Sequence, residues 1–185
     1  MAKDIPALLA QHQHERALVT VRRDDFDEAA IQGFVLSLAP TLVVLQYVSD
    51  FHLDGLMVLR IGDITDVNCS RTDRFQRELL EREGFVSQVP FGKSFELADW
   101  HAAIGQLARD FPLMILECEA LDDPDFVLGR VHAASPQGVE FEHFSGAANW
   151  DTALAEIDWT DITCCRVDSH YINFYRRHFE RLALS

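Results

Sequence analysis

The chain has 185 residues, 48% of them apolar, and carries 30 acidic side chains against 16 Lys and Arg, a formal net charge of −14. That size and apolar share suit one or two compact domains with cores of their own. The charge works against binding DNA, RNA or an anionic membrane, because phosphate neutralisation needs a basic footprint, and Arg22-Arg23 and Arg176-Arg177 are short basic spots among acids.

Residues 4–14 read as a short helix, with Asp4 as N-cap, Pro6 in the first turn and Ile5, Leu8 and Leu9 as an apolar stripe. A strand follows over 17–23 and an acidic loop over 24–28. Residues 31–38 and 42–48 are β-branched and aromatic strands joined at Ala39-Pro40-Thr41. Asp50 to Asp54 read as a longer loop closed by the turn pair Asp54-Gly55, before strands over 56–61 and 64–69. Phe75, Leu79 and Leu80 mark a helix over 73–83 that Gly84 stops.

The stretch 85–97, with Pro90 and Gly92, is irregular and marks a boundary. Beyond it Asp99 caps a helix with Trp100, Ile104, Leu107 and Phe111 on one face. Strands follow over 113–119, 126–133, 139–144, 153–159 and 161–167, with an acidic loop at 121–125. The last helix, 170–184, places Tyr171, Phe174, Tyr175, His178, Phe179 and Leu182 on one side.

The second half therefore repeats the first. Asp63-Ile64-Thr65 recurs as Asp161-Ile162-Thr163, while Gly33 and Gly129, Val35 and Val131, Pro40 and Pro136, Val43 and Val139, and Ser49 and Ser145 pair at one constant separation. The order of elements agrees as well, which is harder to reach by accident than scattered identities. Gly33 and Gly129 sit inside strands, where glycine serves a bulge, a sharp bend or a close backbone approach. Asp63 and Asp161 are placed for Asx-turns to Thr65 and Thr163. The expected fold is mainly β with peripheral helices (α+β), built as two tandem small β-barrel modules, each with a preceding and a following helix. The expected modules are 1–86 and 98–185, with a linker over 87–97.

A short helix followed by bent strands, with Gly33-Phe34-Val35 in the second and a hairpin into Gly62-Asp63-Ile64-Thr65, resembles the Sm-like and SH3-like small barrels. The resemblance implies association through strand edges, and in many Sm-like proteins RNA binding. The Asn-bearing loop and Arg-Gly pair that carry RNA binding there are replaced by Ala39-Pro40-Thr41 and Arg60-Ile61-Gly62-Asp63. With the net charge of −14, RNA binding is not expected.

No catalytic signature of the G-x-S-x-G, P-loop or G-x-G-x-x-G kind is present. The thiol pair Cys164-Cys165 in a strand would present one sulfur inward and one outward, and a cluster with Asp161 and His170 is the enzymatic alternative. None of the eight histidines has metal-ligand spacing, so neither a metal nor another cofactor is expected. The loops after the third strand of each half differ, and Phe51, His52 and Asp54 in one and Trp150 in the other are the candidate binding residues. The four cysteines lack C-x-x-C spacing, no apolar run reaches the about 18 residues of a membrane span, and the first residues lack the apolar core of a secretory leader. The expectation is a cytoplasmic, non-enzymatic interaction or regulatory protein that self-associates or binds a protein partner.

Overall fold

The computed structural model describes residues 3–123 and 125–184, so Pro124 of the acidic loop 121–125 lies outside the described residues. The chain divides into two compact units, Met1–Ala98 and Asp99–Ser185.

The first unit opens with helix α1 (Ile5–Glu15), whose N-cap Asp4 accepts the Ala7 N–H at 3.1 Å and whose chain reverses at Arg16 in the left-handed region. Strands β1 (Leu18–Arg23), β2 (Asp27–Leu38), β3 (Leu42–Ser49), β4 (His52–Arg60) and β5 (Asp66–Asn68) follow, then helix α2 (Arg71–Arg82). The strands are antiparallel in the order β5-β1-β2-β3-β4. Helix α2 starts at a reciprocal cap: Ser70 Oγ accepts the Asp73 N–H at 3.1 Å and Asp73 accepts the Ser70 N–H at 2.7 Å. Asp73 is 3% exposed, and it also accepts Thr20 Oγ1 at 2.8 Å and Gln32 Nε2 at 3.0 Å, tying α2 to β1 and β2. The segment beyond α2 folds back on this unit, with Phe91 edge-on to Phe34 at 5.7 Å and Arg16 stacked on Phe91.

The second unit has helix α3 (Trp100–Asp110), capped by Asp99, strands β6 (Met114–Cys118), β7 (Asp125–Ala134), β8 (Gly138–His143), β9 (Ala155–Asp158) and β10 (Cys164–Val167), and helix α4 (His170–Ala183) capped by Ser169. Its strand order is β10-β6-β7-β8-β9. A core of Leu113, Ile115, Leu128, Phe144 and Ile172 carries Tyr175 and Phe179 against it.

The two orders correspond strand for strand, and the correspondence reaches atomic detail. Gly33 stands opposite Tyr47, and a Cβ there would meet the Gln46 carbonyl oxygen at 2.5 Å; Gly129 stands opposite His143, and a Cβ there would meet the Glu142 carbonyl oxygen at 1.8 Å. A register shift follows between Val35 and Ser37 in one unit and between Val131 and Ala133 in the other. The glycines thus serve a close backbone approach beside a bulge.

The expectation of two closed barrels is incorrect. Each strand series is open: β5 and β4, and likewise β10 and β9, lie at opposite ends of their series and are not hydrogen-bonded to each other. Bulges and glycine contacts bend these sheets, but closure needs strands long and tilted enough for the last to reach the first. Strand β5 has three residues and β9 and β10 have four each. The α+β content is as expected.

Two local expectations also change. The chain between β3 and β4 is a two-residue hairpin at Asp50-Phe51, and Asp54-Gly55 lies inside β4, where the left-handed Gly55 absorbs a register shift. The threonines of the repeated Asp-Ile-Thr make no Asx-turn. Thr65 N–H donates to the Arg22 carbonyl at 2.9 Å, and its hydroxyl donates to Asp24 Oδ2 at 2.8 Å while accepting the Asp24 N–H. Thr163 does the same with the Glu117 carbonyl at 2.8 Å, with Glu119 Oε2 at 2.7 Å and with the Glu119 N–H. The repeated residue that matters is the threonine, which clasps the end of the first strand of its unit.

Candidate functional site

Asp50 and Phe51 occupy the centre of the β3–β4 hairpin with φ of +46° and +63°. A two-residue hairpin loop favours this doubly left-handed turn because it matches strand twist, and it normally takes Asn-Gly or Asp-Gly. A phenylalanine there is sterically disfavoured. Its ring is 44% exposed and forms one wall of an apolar cleft of about 240 Å³, whose other walls are Leu79, Leu80, Glu83 and Phe85 at the C-terminal end of α2. His52 Nδ1 lies 2.8 Å from the Asp50 carbonyl oxygen, and its ring stands 6.1 Å from that of Phe85. Asp54 is half-buried at the β4 bulge. The hairpin thus brings Phe51 and His52 to the α2 end.

Trp150, in the loop that corresponds to this hairpin, is 36% exposed and packs into its own unit. Its ring lies 4.9 Å from Phe144 and 5.1 Å from Phe179 of α4, with the Arg130 guanidinium 4.8 Å above it. Arg130 also pairs with Glu142, and together with His132 it holds that carboxyl below the ordinary glutamate value.

Helix α4 splits the aromatic face that the sequence places on one side. Ile172, Tyr175 and Phe179 turn inward, whereas Tyr171, Phe174 and Leu182 are exposed, Phe174 by 68%. The two rows are neighbours around the helix, and Tyr171 and Tyr175 meet edge to face with ring centres 5.3 Å apart. Arg177 lays its guanidinium 4.6 Å from the Phe174 ring centre. With α4 placed beside α2 as its counterpart, a further repeat is visible: Phe75, Arg77, Glu81 and Arg82 match Phe174, Arg176, Glu180 and Arg181. The matching ion pairs Arg77–Glu81 and Arg176–Glu180 measure 2.8 and 2.7 Å. The signal Phe-x-Arg-x-x-x-Glu-Arg was present in the sequence, displaced slightly from the strand repeat by an unequal loop.

Cys164 and Cys165 are both fully buried, so neither faces out. Burial first, and then Cys164 and Glu117, push the Cys165 thiol well above its ordinary value. That is the opposite of nucleophile activation, which needs a stabilised, accessible thiolate. Asp161 is half-buried in the turn before β10, and His170 is exposed at the first turn of α4. Among the described residues no group of three or more His, Cys, Asp or Glu is placed to hold a metal ion, and no helix is long and apolar enough to cross a membrane.

A wider depression of about 470 Å³ in the first unit is bordered by Arg16, Arg77 and Phe91. Both guanidiniums there are engaged by the protein: Arg77 donates to the Arg16 carbonyl and pairs with Glu81, and Arg16 stacks on Phe91. Comparison with family models, with curated proteins and with solved structures finds no match.

Proposed function

We propose that this protein is a non-enzymatic interaction module that self-associates through the outward row of α4. The observation that carries this reading is the exposure of Tyr171, Phe174 and Leu182 as one helical row, with Arg177 stacked on Phe174. Contiguous exposed apolar groups mark association surfaces, and aromatic residues with arginine are the side chains enriched in interface centres.

Light scattering on a size-exclusion column, run over a concentration series, tests the reading. Wild-type protein is expected to shift from one chain mass to multiples of it as concentration rises. Phe174→Asp is expected to remain at one chain mass with its melting temperature unchanged, because a side chain so exposed contributes little to folding. A wild type of single-chain mass at every concentration would end the proposal.

A further inference from the structure

The two units differ at one equivalent place. In the second, the space between the loop after β8 and helix α4 is filled by Trp150, whose ring rests on Phe179 beneath the Arg130 guanidinium. In the first, Leu80 stands where Phe179 stands, Phe51 comes from the matching hairpin, and between them a cleft of about 240 Å³ is open. The second unit thus shows what such a place takes: one aromatic ring with an arginine laid over it.

Elsewhere the same chain presents that combination in exposed form, as Phe174 with Arg177 stacked on it. The charges are complementary. The cleft has Glu83 in its wall and Asp50 beside Phe51 in the turn, while Arg177 and Arg181 accompany the α4 row on a chain that is otherwise strongly acidic. Phe75, the counterpart of Phe174 on α2, is also exposed, but Thr72 and Glu83 stand where α4 has Tyr171 and Leu182, so it lacks the extended apolar row. The Phe51 backbone adds a second argument. A bulky residue kept in the left-handed region where glycine would suit the turn is a site at which conformational strain accompanies function.

We propose that the cleft formed by Phe51, Leu79, Leu80, Glu83 and Phe85 receives Phe174 from α4 of a second copy of this chain. The proposal rests on the self-association reading above and names the surface that the α4 row meets. Cleft and row are different surfaces, so the contact is heterologous, and repetition gives a ring if the rotation closes and a filament if it does not.

Mixing experiments test this directly. Phe174→Asp removes the ring that docks, and Phe51→Gly removes one cleft wall while placing glycine at a positive φ that suits it, so both variants are expected to fold. Each alone is expected to self-associate about tenfold more weakly or worse. An equimolar mixture is expected to form a one-to-one heterodimer and nothing larger, because each partner retains the half that the other lost. Glu83→Arg is expected to weaken association in the same way through repulsion of Arg177 and Arg181. Association of Phe51→Gly and Glu83→Arg at wild-type strength, with Phe174→Asp monomeric, would overturn the proposed docking and leave self-association through α4 standing. A mixture that stays monomeric would also overturn the docking. A monomeric wild type would remove both readings.

Discussion

Gly33 and Gly129 lie in strands where any side chain would collide with the carbonyl across the sheet, at 2.5 and 1.8 Å respectively. Backbone cannot yield as the end of a flexible side chain can, so substitution must shift the strand pair. Gly129→Ala is expected to lower unfolding free energy by about 1–3 kcal/mol, the range for overpacking, and Gly33→Ala by less; urea melts of both check this. The threonine clasps give a second contrast. Thr163 is fully buried and donates its hydroxyl to Glu119, whereas Thr65 is exposed. Thr163→Val is expected to cost about 1–2 kcal/mol, since the Glu119 carboxylate loses a donor and the Glu119 N–H an acceptor, and Thr65→Val clearly less. The glycines were legible in the sequence because glycine within a β-branched run is locally anomalous. The threonines were not, because their partners lie 41 and 44 residues away and nothing local announces them.

At the scale of elements, α2 is held by one carboxylate. Burial acts to raise the Asp73 pKa, and the hydrogen bonds from Ser70, Gln32 and Thr20 outweigh it, so the carboxyl sits below the ordinary aspartate value. Asp73→Ala is expected to cost about 1–3 kcal/mol, because it keeps the Ser70 Oγ cap but removes the carboxylate that accepts the Ser70 N–H, and leaves the Thr20 and Gln32 donors without this acceptor. The folded value lies below the unfolded one, so the unfolded chain takes up the proton first as pH falls. The contribution of Asp73 is therefore present above about pH 4 and lost as pH drops through the folded value. Comparison of wild type with Asp73→Asn by chemical denaturation across this range should show the stability gap closing on the acid side. Ser70 and Asp73 are visible in the sequence as a capping pair, but the expected start at residue 73 missed it by placing the helix two residues late. The α4 row was half legible: periodicity found the aromatic residues, and only the packing of Tyr175 and Phe179 separated the inward row from the outward one.

At the scale of the molecule, the order of elements was legible twice over and the closure was not. Alternating apolar strands, prolines at turns and glycines at bends specify where strands begin and which way they curve. Whether a curved sheet closes depends on the length and tilt of its last strands, and β5, β9 and β10 are shorter than the strand-like runs 64–69, 153–159 and 161–167 that announce them. The candidate site is legible at Phe51 and His52, which read as loop residues. Its other wall, Leu79, Leu80, Glu83 and Phe85, comes from a helix end about 30 residues downstream, which reads as ordinary amphipathic pattern. Charge complementarity at the proposed contact predicts a whole-molecule property as well: association should weaken as salt rises from low to about 0.5 M, because exposed charge pairs are screened. Sedimentation velocity at several salt concentrations measures this.

If α4 is the surface through which copies meet, hydrogen exchange followed by mass spectrometry at low and high protein concentration will show it. Raising concentration is expected to slow exchange in peptides covering 170–184, and also in those covering 49–56 and 79–86, while the rest of the chain is unchanged. Exchange that is independent of concentration in 170–184, or new protection confined to a sheet edge such as β9, would contradict it.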